Sequence, residues 1–324
     1  MYKAFIKGVG SYVPTRSLSN AALTEKISRT DEWIVSRTGI SERRVAAVNE
    51  ATSDLAYYAA VEALRHANLH SKDLDLILVA TETPDHILPP VACQVQHRLE
   101  CRNVAAMDVH NTCVGFLSAL QIAEQFIKAG THRNILVIGA DTLTRLTDYD
   151  DPSTSILFGD AAGAIILSRS DDLDKKGLIS TKIHSDGQYF DALYVPGGGS
   201  RFPASAEHKN KMIMDGRRIF KLAVKSMSGV LTNMLQDEQI PKDRLDWLIP
   251  HQANLRIIEA VARNTGFPME KVINTVSNLG NSCSATIPVS LDQAVNNRRI
   301  SRGDMLGFVS FGAGLVWGAA LVEY

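Results

Sequence analysis

Three short segments, far apart in the chain, carry side chains suited to thioester chemistry. They are Asn111-Thr-Cys-Val-Gly-Phe116 with Cys113, Ile249-Pro-His-Gln-Ala-Asn254 with His251, and Leu279-Gly-Asn-Ser282 with Asn281. A thiol accepts an acyl group, and an imidazole with a carboxamide can hold and polarise a second thioester. Each residue alone has a plainer reading: a buried inert cysteine, a structural histidine, an asparagine in a turn. Joint use is what gives them meaning.

The elements around them supply the positions. A strand predicted at Ala105–Val109 and a helix predicted at Val114–Ala129 put Cys113 at a helix N-terminus, where unpaired N–H groups and the dipole favour the thiolate. Those amides can also hold an oxyanion. Gly115 permits close backbone approach. His251 follows a strand predicted at Trp247–Pro250, at the carboxyl end where α/β sheets bind ligands. Asn281 follows a strand predicted at Val272–Thr275. Further strands are expected at Phe5–Val9, Leu74–Ala80, Ile135–Gly139, Ala164–Ser168, Leu178–His184, Leu306–Phe311 and Val316–Val322. Helices are expected at Asp54–Ala67, Val91–Leu99, Arg217–Leu235, Leu255–Asn264 and Ile287–Asn296. This alternation argues for α/β layers with mostly buried strands.

The pattern also suggests an internal duplication. Cys113 precedes Asn134-Ile-Leu-Val by 21 residues (134 − 113), and Cys283 precedes Asp304-Met-Leu-Gly by 21 (304 − 283). Each stretch ends in a glycine turn and an apolar strand, from Phe158-Gly-Asp-Ala and from Phe311-Gly-Ala-Gly. The expected division is 1–172 and 173–324, with the charged run Asp171–Lys176 as a solvated connection. The longest irregular stretch is Ser185–Asp215, read either as a surface excursion or as a flap over a substrate tunnel.

The 324 residues are 45% hydrophobic and 21% charged, with a formal net charge of −1. That is ordinary globular composition, without the basic excess that would recommend a nucleic-acid partner. The N-terminus lacks a signal-peptide apolar core. The most apolar stretch, Gly307 to Val322, is interrupted by glycines and a serine, so it reads as two buried strands and not as a membrane span. Four cysteines in a chain of this length, with no CxxC pair, make no disulfide framework and fit a reducing cytoplasm.

The chain resembles the β-ketoacyl-acyl-carrier-protein synthase III family. The likeness runs end to end through Asp31-Glu-Trp-Ile-Val-Ser-Arg-Thr-Gly-Ile40, Cys113-Val-Gly-Phe116, Phe158-Gly-Asp-Ala-Ala-Gly-Ala164, Pro250-His-Gln-Ala-Asn-Leu-Arg256, Leu279-Gly-Asn-Ser282 and Phe311-Gly-Ala-Gly314. The resemblance implies a thiolase-like fold of two duplicated α/β halves in five layers, αβαβα. It implies that Cys113 is the acyl-accepting nucleophile, and that His251 and Asn281 bind a malonyl thioester and stabilise the enolate left by loss of CO2, the imidazole acting as a neutral donor. The backbone N–H groups of Cys113 and Ala313 would form the oxyanion hole. Trp33 and Arg37 would contact coenzyme A, and Phe220 and Asn254 would line the pantetheine tunnel. Lys221, Arg256 and Arg263 would receive an acidic carrier protein. Leu88 would reach across a homodimer to close the acyl pocket. No metal or redox cofactor, nucleic acid or membrane is implied; the substrates are acyl-coenzyme A and malonyl-acyl-carrier protein, and the reaction initiates fatty acid synthesis. Elongating synthases resemble this chain but use two histidines, and true thiolases add a second C-terminal cysteine.

Some residues depart from the family pattern. Asp151-Pro-Ser153 stands where an arginine would sandwich adenine against Trp33. Asn111 and Thr112 stand where alanines are usual, and Leu88 where phenylalanine is common. These departures motivate an alternative, a family member of a specialised pathway that transfers or condenses acyl groups with a different acceptor. A non-catalytic acyl-binding subunit is the rival from outside enzymology. Cys283, two residues after Asn281, reads as a small core residue or as an oxidisable second thiol.

Overall fold

The computed structural model describes residues 2–101, 103–172, 177–203, 205 and 210–324. Strand β1 (Lys3–Tyr12) leads into a ribbon, β2 (Ser17–Ser19) with β3 (Glu42–Arg44), which brackets helices α1 (Asn20–Ile27) and α2 (Asp31–Thr38). Then come α3 (Thr52–Ala67), β4 (Leu76–Ala80), α4 (Val91–Arg98), β5 (Ala105–Val109), α5 (Gly115–Lys128), β6 (Asn134–Thr142) and β7 (Asp160–Ser170). The chain continues with β8 (Leu178–Ser185), a ribbon of β9 (Leu193–Tyr194) and β10 (Ile213–Met214), α6 (Gly216–Asp237), β11 (Trp247–Pro250) and α7 (Leu255–Thr265). It ends with α8 (Val276–Leu279), α9 (Thr286–Asn296), β12 (Met305–Gly312) and β13 (Val316–Glu323).

Two sheets form, in the orders β1-β7-β6-β4-β5 and β11-β12-β13-β8. In the first, β4 runs parallel to β5 and β6, and β7 is antiparallel to β1 and β6. In the second, β11 is parallel to β12, and β13 is antiparallel to β12 and β8. Read inward from β1 and from β8, the two sheets have the same order. Helices α5 and α9 fill the space between them. Their apolar faces, Phe116, Leu117, Leu120 and Ile127 with Ile287 and Leu291, join one core with residues of both sheets. Helices α3 and α4 cover the outer face of the first sheet, and α6 and α7 that of the second. The result is five layers, α-β-α-β-α. Strands covered on both sides need continuous apolar sequence, and Leu76–Ala80 is buried at every position.

The starts of equivalent elements fix the register of the repeat. β11 begins 171 residues after β4 (247 − 76), α9 after α5 (286 − 115) and β12 after β6 (305 − 134). This corrects the register read from the two cysteines. Cys113 is equivalent to Ser284, and Cys283 to Thr112.

Three sequence expectations change. Val272–Thr275 is not a strand but a single parallel bridge from Val272 to Leu248. The next donors, Thr275 N and Val276 N, go instead to the Gln252 side-chain carbonyl at 2.8 and 3.2 Å, which turns the chain into α8. Helices α1 and α2 are additions, too short to announce themselves by periodicity. α2 is marked at its ends: the Thr30 hydroxyl accepts from Trp33 N (3.1 Å), and Gly39 closes it at φ 72°. Ser185–Asp215 contains a helical turn and the β9–β10 ribbon. Residues 204 and 206–209 of that stretch, and 173–176 of the expected connection, lie outside the described residues.

Candidate active site

Cys113 sits in the tight turn Thr112–Val114 that runs directly into α5. Thr112 adopts φ 47°, in the left-handed region that costs a β-branched residue energy. It is held there from two sides. Its N–H donates to Glu82 Oε1 (2.6 Å), and its hydroxyl donates to the Ala313 carbonyl (3.2 Å). The Cys113 carbonyl accepts from the Ser310 hydroxyl at 2.6 Å. Strand β12 must come close for these bonds, and Gly312 permits it: a Cβ there would stand 2.2 Å from Thr112 Oγ1 and 2.9 Å from Cys113 N.

His251 is buried at the end of β11. Its Nδ1 lies 2.7 Å from the Thr286 hydroxyl. That hydroxyl gives its single proton to the Cys283 carbonyl (3.0 Å), so the ring donates through Nδ1. In the neutral ring Nε2 is then an acceptor, and only the protonated ring presents Nε2–H. Asn281 follows Gly280, which takes φ 70°. Its side-chain carbonyl accepts from Cys283 N (2.9 Å), which fixes the amide and leaves the NH2 end to donate.

The two sulfurs meet. Cys283 Sγ lies 3.4 Å from Cys113 Sγ. The hydrogen bond from Cys283, then the imidazole of His251, bring the Cys113 thiol down to about 5 against the upward push of burial. The same bond, with burial, holds the Cys283 thiol well above the ordinary range. The pair is a thiolate and its thiol donor.

Cys113, His251 and Asn281 line one cavity of about 760 Å³ with Trp33, Arg37, Phe220, Lys221, Asn254 and Arg256. Arg37 lies 4.4 Å from the Trp33 ring centre, and Arg256 5.7 Å from that of Phe220. Asn254 does more than line the cavity. Its Oδ1 caps α7 through Arg256 N (2.9 Å), and its Nδ2 donates to the Arg37 carbonyl (3.0 Å), tying α2 to α7. Pro152 and Ser153 form part of the wall.

Three expected residues lie outside this lining. Arg263 is exposed in the last turn of α7. Ala313 is tied to the turn at Cys113 by its carbonyl, which accepts from the Thr112 hydroxyl. Leu88 is 78% exposed, away from its own chain's cavity. Four residues were missed. Arg29, 5.2 Å from the Trp33 ring, and Arg217 join Arg37, Lys221 and Arg256 in the lining, so its cationic side chains number five. Glu82 and His110 pair at 2.7 Å behind Thr112, and this bond raises the His110 imidazole. Polar neighbours of the cysteine were the available signal for the last two; for the arginines there was none.

Five layers enclosing a cysteine, a histidine and an asparagine in one cavity define a thiolase-fold condensing enzyme. Residues 107–187 match the family described as 3-oxoacyl-[acyl-carrier-protein (ACP)] synthase III, and residues 235–324 match its C-terminal part. The beta-ketoacyl-[acyl-carrier-protein] synthase III of Xylella fastidiosa (strain Temecula1) is 45% identical over 99% of this chain and 98% of its own. That of Methylococcus capsulatus is 44% identical over 98% of each. The crystal structure of 3-oxoacyl-[acyl-carrier-protein] synthase III from Aquifex aeolicus superposes with a TM-score of 0.92, at 40% identity and full coverage of both chains. The chain belongs to the 3-oxoacyl-[acyl-carrier-protein] synthase III family.

Proposed function

We propose that this enzyme condenses an acyl group from acyl-coenzyme A with malonyl-acyl-carrier protein, and that Cys113, His251 and Asn281 perform both halves of the reaction. The observation that carries the reading is the single cavity lined by all three side chains together with five cationic ones. The Cys113 thiolate, with its proton held on His251 Nε2, attacks the acyl thioester. The tetrahedral oxyanion rests on the backbone N–H groups of Cys113 and Ala313. Coenzyme A leaves as its thiolate and takes a proton from water, so the imidazolium stays charged. Malonyl-carrier protein then enters. As its C–C bond to the carboxylate breaks, the enolate oxygen accepts hydrogen bonds from His251 Nε2–H and Asn281 Nδ2. The enolate carbon attacks the acyl-cysteine, and Cys113 departs as the thiolate, restoring the ion pair. Trp33 and Arg37 take the adenine end of coenzyme A, while Phe220 and Asn254 take its pantetheine arm. Lys221, Arg256 and Arg263 meet the acidic carrier protein.

This reading needs no cofactor, and a reducing cytoplasm suits a free thiolate. Among the described residues, no three His, Cys, Asp or Glu side chains group to hold a metal, and no helix is long and apolar enough to cross a membrane. We divide the chain into 1–172, carrying Cys113, and 173–324, carrying His251 and Asn281. The exposed edge at β5 supports a homodimer. This edge strand has Met107 40% exposed, and Asp108 ties it to the start of α4 just after exposed Ile87 and Leu88. Leu88 would then close the partner's acyl pocket.

The test is condensation with malonyl-acyl-carrier protein across acyl-coenzyme A donors from acetyl to about decanoyl length, with Cys113→Ala alongside. Product that depends on Cys113 supports the reading, and the best donor reports on the pocket. Acylated Cys113 without CO2 release would overturn the decarboxylating half. It would favour transfer to another acceptor, a reading that Pro152 and Ser153 in the cavity wall keep in play.

A further inference from the structure

No step of the condensation makes or breaks a bond to the Cys283 sulfur, yet that sulfur lies 3.4 Å from Cys113 Sγ. We propose that Cys113 is a site of reversible oxidation and that Cys283 is its resolving thiol, the two closing an internal disulfide that removes the nucleophile.

Three observations assign the roles. Cys113 lines the cavity and Cys283 does not, so a small hydroperoxide meets Cys113 first. The hydrogen-bonded pair presents the reactive thiolate at Cys113, with the proton kept on Cys283. A disulfide needs about 2.05 Å between sulfurs, so closing the 3.4 Å gap takes about 1.3 Å of combined movement.

The chemistry balances with a hydroperoxide as oxidant. The Cys113 thiolate attacks the peroxide oxygen, the O–O bond breaks, and Cys113 becomes a sulfenic acid as an alkoxide or hydroxide leaves and takes a proton from water. The Cys283 sulfur then attacks the sulfenic sulfur. The S–O bond breaks, and the thiol proton leaves with the hydroxide as water. An external dithiol restores both thiols and is itself oxidised to its disulfide. Without Cys283 the sulfenic acid has no partner at hand and goes on to the sulfinic acid, which a dithiol does not reverse.

The experiment uses hydrogen peroxide on the whole protein, with thiols counted under denaturing conditions and cysteine peptides weighed. No acyl donor is present, so the result stands apart from the reading of acyl transfer. All four cysteines start free. In wild type we expect two thiols lost, a Cys113–Cys283 linked peptide two hydrogens lighter than its parts, and full recovery with dithiothreitol. In Cys283→Ser and Cys283→Ala we expect a Cys113 peptide heavier by two oxygens, with no recovery. The proposal is overturned if wild-type Cys113 reaches the sulfinic acid as fast as in the variants, or if the linked peptide joins any other pair. Wild-type peptides alone decide the matter should both variants fail to fold.

Discussion

Two helix starts in this molecule share a fold and differ in chemistry. The turn Thr112–Val114 before α5 and the turn Cys283–Ala285 before α9 are equivalent under the 171-residue repeat. Both begin with a left-handed residue, Thr112 at φ 47° and Cys283 at φ 52°. The next residue is Cys113 in one and Ser284 in the other. What differs is the strand facing them. Opposite Ser284 stands Asp141, whose Oδ2 accepts from Ser284 N (3.1 Å) and from the Ser284 hydroxyl (2.5 Å). Opposite Cys113 the equivalent residue is Gly312, which places no side chain against the Cys113 amide. A carboxylate closes one helix start and consumes its N–H. A glycine leaves the other with no side chain facing its N–H. The lesson is that the reactive position is made by what its neighbour omits as much as by the thiol.

The comparison can be broken at several points. Removing the thiol comes first: Cys113→Ala should lower condensation by on the order of 10⁴ or more, measured as product per enzyme. Closing the open start comes next. Gly312→Ala forces a Cβ onto Thr112 Oγ1 and against Cys113 N. It should reduce kcat by about 10²-fold, as loss of one oxyanion donor does, and destabilise by about 1–3 kcal/mol through overpacking; steady-state kinetics and urea melts test both. A smaller effect belongs to the donor thiol. Cys283→Ala withdraws the hydrogen bond that lowers the Cys113 pKa, so the folded-state value rises. The rate of iodoacetamide alkylation at Cys113 should then gain its full height at higher pH than in wild type, whose thiolate persists down to about 5. An unchanged profile would leave the lowering to His251 alone. The smallest change in turnover is expected at the closed start. Ser284→Ala removes the hydroxyl donor, and keeps the backbone N–H donor, to buried Asp141, whose carboxyl burial already pushes up to about 7. Stability should fall by about 1–3 kcal/mol while kcat shifts by less than about fivefold; a large loss of kcat would show that the second start also serves the chemistry.

Much of this was legible in short segments. Cys113, His251 and Asn281 each follow a strand or a tight turn, and their immediate neighbours carry the pattern. Trp33 and Arg37, which line the cavity, could be singled out although α2 could not be assigned, because an eight-residue helix buries only Ile34 and Thr38 and shows little period. Other features depend on register. The repeat read from two cysteines was off by one residue, and that single step hides the pairing of Gly312 with Asp141. Val272 reads as a strand because its side chain is apolar, but Gln252, some twenty residues earlier in the chain, takes the donors a strand would use. Arg29 and Arg217 become cavity residues only when α2 and α6 are brought together around one opening.

The site is also a matter of timing. The bonds that shape the turn at Cys113, from Ser310 to the Cys113 carbonyl and from Thr112 to the Ala313 carbonyl, use strand β12 and the turn after it, 197 and 201 residues away along the chain. During synthesis the first sheet can gather around α5 long before those residues leave the ribosome. Until they arrive, the Cys113 carbonyl lacks its Ser310 partner and the Thr112 hydroxyl its Ala313 partner. The shape of the turn at Cys113 is therefore complete only once β12 docks.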